Sequence, residues 1–257
     1  MFDNYEWFKE KVLSLTKIDL NAYKEKQMKR RIDSLIKSNK LDSYEDYYKL
    51  LCTDKVALKK FINYLTINVS EFFRNPEQWK LFEEIMIPMV KKKAGRFKIW
   101  SAACSTGDEP YTISMIMQKH FPASKFEIIA TDIDDEVLEK AAAGLYSEKS
   151  IVHIPDEFKK YFEQINPKTY QISDDVKKYV QFKRHNLLKD AYPTNCDIIV
   201  CRNVLIYFTE DAKNEVYNKF AKSLYNEGVL FIGNTEQILN PKDFGLTSIK
   251  SFFYQKD

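Results

Sequence analysis

The run Ile99-Trp100-Ser101-Ala102-Ala103-Cys104-Ser105-Thr106-Gly107-Asp108-Glu109-Pro110 carries an apolar strand into small residues and then into a helix start. The spacing predicts a strand over Phe97–Ser101 and a helix over Glu109–His120, with Pro110 in its first turn. Downstream the alternation continues. Strands are expected at Glu127–Ala130, Asp197–Cys201, Val229–Gly233 and Ile249–Tyr254, and helices at Glu136–Ala143 (closed by Gly144) and Glu210–Leu224. Strands alternating with helices predict an α/β fold, a mostly parallel sheet covered on both faces. No full helix separates the last two strands, so one of them is expected to run antiparallel. Over about 150–185 a helix near 156–164 and short strands at Tyr170–Ile172 and Tyr179–Phe182 predict a small β insertion. Upstream of residue 95 only helical periodicity is found, at roughly 4–15, 20–39, 43–52, 54–67 and 76–93. The last begins with Asn75 as cap, Pro76 at the first helical position and Gln78 three residues after the cap.

Composition narrows the classes. The 257 residues are 44% hydrophobic and 14% aromatic with a net charge of +3, which argues against disorder. Apolar runs such as Asp197–Phe208 are short and interrupted by Arg202, so no membrane span is expected, and the N-terminus lacks the order of a secretory signal. Four cysteines without a CxxC and three scattered histidines point to a reduced, cytoplasmic chain without a structural metal. Residues 1–75 hold 15 Lys+Arg against 11 Asp+Glu. Within Lys24–Lys40 seven basic residues meet two acidic ones, on a helix whose apolar stripe is Met28, Ile32, Leu35 and Ile36. The basic outer stripe is either an ordinary solvated surface or a docking surface for an acidic partner. The stripe lacks the interleaved aromatics of a nucleic-acid surface.

Ligands of open α/β sheets bind at the carboxyl ends of the strands. In the loop after the first strand there is no GxGxxG and no GxxxxGK[ST], and Asp108-Glu109 would repel phosphate. A carboxylate suits an ammonium or sulfonium instead; a purely structural strand–helix turn is the alternative. In Ile129-Ala130-Thr131-Asp132-Ile133-Asp134, Asp132 stands where a ribose acceptor would, although Asp132 or Asp134 could equally cap the next helix. Together the two loops describe a nucleoside with a cationic tail and no phosphates, which fits S-adenosylmethionine. The strand Asp197–Cys201 ends in Arg202-Asn203, with Tyr207 following, and lacks the Asn/Asp-Pro-Pro-Tyr tetrapeptide of amine and amide methyltransferases. Asn68, Ser70 and Arg74 gather before the helix at 76, where Arg74 could also merely pair with Glu71 or Glu77.

The motifs NVSEFFRNP, WSAACSTGDEPYT, ATDID and CRNVLIYF, in that order, resemble the bacterial chemotaxis receptor methyltransferases of the CheR family over essentially the whole chain. The resemblance implies a Rossmann-like class I methyltransferase sheet domain, an all-α N-terminal domain and a small antiparallel β insertion. It divides the chain into residues 1–75, with the basic docking helix at about 20–39, and 76–257, with the β-subdomain at about 150–185. It implies methyl transfer from S-adenosylmethionine to glutamates on the cytoplasmic helical bundle of chemoreceptors. The products are glutamate 5-O-methyl esters and S-adenosylhomocysteine. By the same resemblance Asn68, Ser70, Arg74, Glu109, Asp132, Asn186, Leu187, Arg202 and Asn203 contact the cofactor. Arg74 and Tyr207 orient the acceptor carboxylate, and some relatives use the insertion to grip a receptor C-terminal pentapeptide. Ser70 replaces a common Thr, and Asp108 the first Glu of a Glu-Glu pair; both keep the functional group. The alternatives are methyl transfer to another carboxylate acceptor, or a non-catalytic module that binds the cofactor as a signal. A glutamate is ionised at neutral pH (its free pKa is about 4.3), so no general base is required of the chain.

Overall fold

The computed structural model describes residues 4–257, which fall into two compact units; residues 1–3, the start of the expected helical domain, lie outside the described residues. The first unit comprises residues up to Asn68 together with Leu205–Glu215. Its helices are α1 (Tyr5–Thr16), α2 (Glu25–Ser38), α3 (Tyr44–Thr53) and α4 (Lys55–Thr66). Ser43 caps α3 through the Asp46 amide, and Asp54 caps α4 through the Val56 and Ala57 amides. The core is aromatic: the Phe8 ring lies 4.9 Å from Tyr44, 6.2 Å from Tyr47 and 6.1 Å from Phe61. On α2 the buried residues are Met28, Ile32 and Ile36, three of the four in the stripe read from the sequence. The helix expected at 20–39 is broken, however. Leu20–Ala22 forms a 3-10 turn and Tyr23 is extended, because Tyr23 bridges Phe208 and Lys24 N–H donates to the Tyr207 carbonyl at 2.9 Å.

The second unit is Val69–Val204 with Val216–Asp257. It contains α5 (Pro76–Lys92), β1 (Phe97–Ala102), α6 (Asp108–His120), β2 (Phe126–Asp132), α7 (Asp135–Ala143) and β3 (Leu145–Ser147). The short α8 (Glu148–Ile151) and α9 (Asp156–Lys159) lead to β4 (Phe162–Asn166), β5 (Thr169–Ile172), α10 (Asp174–Lys177) and β6 (Val180–Arg184). After β7 (Cys196–Cys201) come α11 (Glu210–Ser223), whose first half belongs to the other unit, then β8 (Leu224–Ile232), β9 (Leu246–Lys250) and β10 (Phe253–Lys256). The seven-stranded order is β6-β2-β1-β7-β8-β10-β9: the first five strands are parallel, β10 runs antiparallel to β8, and β9 pairs antiparallel with β10 and so runs in the direction of the first five. The order reverses at β1, between β2 and β7, which makes the carboxyl end of β1 the switch point where such sheets take ligands.

Three further expectations are corrected. The strand expected at Ile249–Tyr254 is a hairpin, β9 and β10, turned at Phe252 with φ 69°. The strand near 179–182 does not belong to the insertion. It is β6, edge of the main sheet, paired from Ile128–Val180 to Asp132–Arg184. The small sheet is instead β3-β5-β4, and the helix expected to reach 164 ends at Lys159, after which Phe162–Asn166 is strand. Tyr146 of β3 donates its hydroxyl to the Thr106 carbonyl at 2.7 Å, so the small sheet braces the loop after β1. Among the described residues no helix is long and apolar enough to cross a membrane.

Asp197 joins three elements at the other end of the sheet. Its buried carboxylate accepts from Lys93 Nζ at 2.6 Å on both oxygens and from the Lys98 amide at 2.7 Å. Asp197→Ala leaves that amide at the start of β1 without its acceptor and is expected to cost about 2 kcal/mol. Urea unfolding reads this as a lower midpoint at unchanged slope.

Candidate functional site

The loop after β1 is held in an unusual backbone. Ala103, Ser105 and Gly107 all have positive φ (61°, 50° and 90°). At Gly107 a Cβ would sit 2.9 Å from Ala141 Cβ and 3.1 Å from the Tyr146 hydroxyl, so glycine is required. The Ser105 amide is already taken by Asp132 Oδ2 at 2.8 Å. A loop whose amide is answered by an internal carboxylate is no phosphate cradle. Asp132 Oδ1 accepts from the Asp134 amide at 3.1 Å, while Asp134 is the residue that caps α7 through Glu136 N–H. The two readings of this acidic pair therefore separate: Asp134 caps, and Asp132 ties the ends of β1 and β2 together. His185 N–H donates to the Asp132 carbonyl at 2.8 Å, which brings Asn186 and Leu187 beside it. Asn186 Oδ1 accepts from the Leu188 amide and the Leu187 carbonyl from the Tyr192 hydroxyl, fixing that turn.

Glu109, at the start of α6, accepts from Ser101 Oγ at 2.8 Å and stands 3.8 Å from Arg202 Nη1. Burial pushes its carboxyl up to about 7, opposed by Arg202, Ser101 and Arg74. Burial likewise pushes Asp132 up to about 6 against the backbone amides that bond it, and raises Asp108 against hydrogen bonds from Thr106 and Ser70. The Phe73 amide donates to Thr112 Oγ1 at 3.2 Å. The Ser70–Arg74 segment thus packs on the start of α6.

Arg202 is buried. Its Nη2 donates to the Arg74 carbonyl at 2.8 Å, to Asn75 Oδ1 at 3.2 Å and to Gln78 Oε1 at 2.7 Å, and the guanidinium lies 5.2 Å from the Trp79 ring and 4.8 Å from Phe231. Asn75 and Gln78, expected as cap and capping-box partner, are spent on this guanidinium instead; Asn75 has φ 58° and makes no side-chain cap. Burial lowers the pKa of Arg202 while Glu109 raises it. Cys104 and Cys201 lie beside these groups, and burial pushes both thiols well up, which makes them poor nucleophiles.

Of the residues singled out from sequence, Ser70, Arg74, Glu109, Asp132, Asn186, Leu187, Arg202 and Asn203 belong to the second unit, while Asn68 and Tyr207 belong to the first. Asn68 donates to Asn63 Oδ1 at 3.1 Å within that unit. The sequence reading missed Ser101, Thr112 and above all Glu236. The Glu236 carboxylate accepts the amides of Asn203 (2.6 Å), Val204 (2.7 Å) and Gly233 (2.9 Å). Gly233 was the available signal, since the chain has only six glycines.

A reversal of strand order at β1, small residues after it and an acidic residue ending β2 define a Rossmann-like, S-adenosylmethionine-dependent methyltransferase. The donor set fits this cofactor: acidic loops, no phosphate cradle, and a Ser105 Oγ buried without a hydrogen-bond partner among the described residues. The family described as CheR methyltransferase, SAM binding domain, matches residues 68–253, and that described as CheR methyltransferase, all-alpha domain, matches residues 3–66. A chemotaxis protein methyltransferase of Listeria innocua is 42% identical over 254 residues, covering 98% of this chain and 97% of its own. Proteins of the same description from Borreliella burgdorferi and Escherichia coli are 33% and 31% identical, covering 88% and 85% of this chain and 85% and 79% of theirs. The chain belongs to the CheR family of chemotaxis methyltransferases, and S-adenosylmethionine is its cofactor.

Arg202→Met keeps the bulk between Trp79 and Phe231 but leaves the Asn75 and Gln78 acceptors unanswered. It is expected to cost about 3 kcal/mol, read as a fall in urea midpoint.

Proposed function

We propose that this chain transfers methyl groups to glutamate side chains on the cytoplasmic helical bundle of chemoreceptors, forming 5-O-methyl esters. Chemoreceptor methylation follows from the family; the glutamate acceptor rests on one observation. Ser70, Arg74, Glu109 and Arg202 gather near the end of β1, where the Glu109 carboxylate would seat a cationic donor and the Arg74 guanidinium would steer an anionic acceptor.

When bound, the cofactor supplies a methyl group on a positively charged sulphur. Glu109 and Asp132 would hold its ammonium and ribose ends, with Ser70, Asn186, Leu187 and Asn203 completing the contacts; the family resemblance adds Asn68 to these. The Arg202 side chain, committed to the Arg74–Gln78 turn, would serve by shaping that wall. Arg74 is half-buried and would steer one carboxylate oxygen of the acceptor by a charge-assisted hydrogen bond. The family resemblance assigns Tyr207 the same orienting role. A loose grip suits the chemistry, because tight pairing blunts the nucleophile and full desolvation of a carboxylate costs several kcal/mol.

In this reading the helical domain, about residues 1–75, carries receptor docking on α2. Lys26, Arg30 and Lys37 are its exposed cations. Arg31 is not one of them: it donates to the Tyr64 carbonyl and lies 4.3 Å over that ring. The methyltransferase domain, about 76–257, includes the β-subdomain, which would offer a site for a receptor pentapeptide. A cytoplasmic location follows from the substrate.

Radiolabelled methyl transfer onto receptor-containing membranes tests this. Base-labile label in a receptor-sized band is expected, with kcat reduced about a hundredfold in Arg74→Ala. Reversal of Lys26 and Arg30 to Glu is expected to raise the receptor KM about tenfold while S-adenosylhomocysteine affinity holds. Base-stable label would move the acceptor away from carboxylates.

The acidity of the site gives a second test. With Glu109 near 7, the carboxylate is ionised at pH 8 and mostly protonated at pH 6. An ammonium favours the ionised form, so affinity for S-adenosylhomocysteine should fall about tenfold from pH 8 to pH 6. Glu109→Gln should bind weakly at pH 8 and flatten the profile in calorimetric titration; a flat wild-type profile would remove Glu109 from the ligand.

A further inference from the structure

Glu236 lies on the turn after β8, outside every motif that pointed to the cofactor, and is 5% exposed. A buried carboxylate needs compensation, and three backbone amides contribute to it here. Oε2 accepts from Asn203 N–H at 2.6 Å and Gly233 N–H at 2.9 Å; Oε1 accepts from Val204 N–H at 2.7 Å. Two of the three donors belong to the segment that follows β7. Asn203 there has φ 61°, a left-handed conformation. The adjoining strands run parallel, with Cys201 opposite Ile232, so both turns leave the sheet at the same edge. Gly233 is the complement: a Cβ there would stand 2.6 Å from Glu236 Oε2 and 2.8 Å from the Asn203 nitrogen. The approach of Glu236 to the Asn203 amide would not close with any other residue at 233.

We propose that Glu236 is a positioning residue of the methyltransferase site: its carboxylate fixes the backbone at Asn203 and Val204 and thereby sets the cofactor-facing wall formed by Arg202-Asn203. The inference rests on reading Arg202-Asn203 as a cofactor contact. Glu236 acts through the backbone of that segment and needs no contact with the ligand itself. Its negative charge also stands near Glu109, whose pKa it raises, and Arg202 is the cation facing both. Replacing the carboxylate by an amide of the same shape puts an NH2 where an amide N–H must be accepted. The turn then loses one or two bonds and Asn203 is free to leave its left-handed conformation.

The test is amide NMR of the whole chain, with calorimetric titration of S-adenosylhomocysteine, on wild type and Glu236→Gln. In wild type the Asn203 and Val204 amide protons should resonate downfield and exchange slowly, and should shift on addition of S-adenosylhomocysteine. In Glu236→Gln both signals should move upfield and the ligand Kd should rise about tenfold or more. The receptor KM should stay within about twofold, a split that general loss of fold would not produce. If the amide signals move and the Kd does not, the positioning role is overturned. If wild-type Asn203 and Val204 are unmoved by the ligand, the reading of Arg202-Asn203 as a contact falls instead. Should Glu236→Gln fail to fold, the wild-type exchange rates decide: amides that exchange as fast as those of exposed loops overturn the proposal.

Discussion

A guanidinium withdrawn from water must be given acceptors, and Arg202 finds them on the turn leading into α5, in the first turn of α5 and on Glu109 at the start of α6. That one group joins the end of β7 to the Arg74–Gln78 turn and to the helix after β1. Its aromatic seat between Trp79 and Phe231 lowers the local dielectric, which strengthens each of those bonds and makes an unanswered acceptor there expensive. Arg74, the residue proposed to steer the acceptor, is held through its own carbonyl by this guanidinium. The Arg202 side chain is therefore used to build the wall, and Arg74 is the arginine proposed to meet the acceptor.

The α/β alternation was legible because buried parallel strands leave short apolar runs and their helices leave apolar stripes. Cys196–Cys201 is wholly buried, and α2 hides three of the residues its spacing marked. What was not legible depended on partners distant in sequence. Asn75-Pro76-x-Gln78 carries the signature of a capping box, and the helix does begin there, yet both side chains turn to a residue more than 120 positions away. The Val180–Arg184 strand has the same local pattern as an insertion strand; only pairing with β2 assigns it to the main sheet. Tyr23 interrupts a helical pattern because Phe208 offers it a strand-like partner. Glu236 left no local pattern, since the amides of Asn203, Val204 and Gly233 that bond it are backbone groups, which no side-chain motif marks.

Electrostatics at the site are set by a contest between desolvation and a few fixed partners. Glu109 and Asp132 both titrate higher than free carboxylates, so burial outweighs the donors around them. A site in that condition is poised to gain from a cation: the charge that burial penalises becomes favourable once an ammonium arrives. The same surroundings would repel phosphate, and the Ser105 amide that might have bound one is closed by Asp132. If Glu109 and Asp132 hold the cofactor as proposed, selectivity for a cationic nucleoside over a nucleotide follows from which carboxylates are buried and which amide is already occupied.

Strain is present where the chemistry is proposed, although seven of the twelve non-glycine residues with positive φ lie elsewhere among the described residues. Phe73, Asn75, Ala103, Ser105 and Asn203 all have positive φ without being glycine, each an unfavourable conformation that a free loop would abandon. Several of these turns are held by a side chain from another element. Thr112 takes the Phe73 amide, Asp132 the Ser105 amide and Glu236 the Asn203 amide, while Arg202 donates to the carbonyl of Arg74, between Phe73 and Asn75. Three of the four holders sit on the strand ends or the helix after β1, the rigid parts of the fold, so the loops inherit the precision of the sheet. Because each bond serves a different turn of one cluster, losses at neighbouring holders should not add independently; a turn released at one point removes the reason for its neighbour to stay strained.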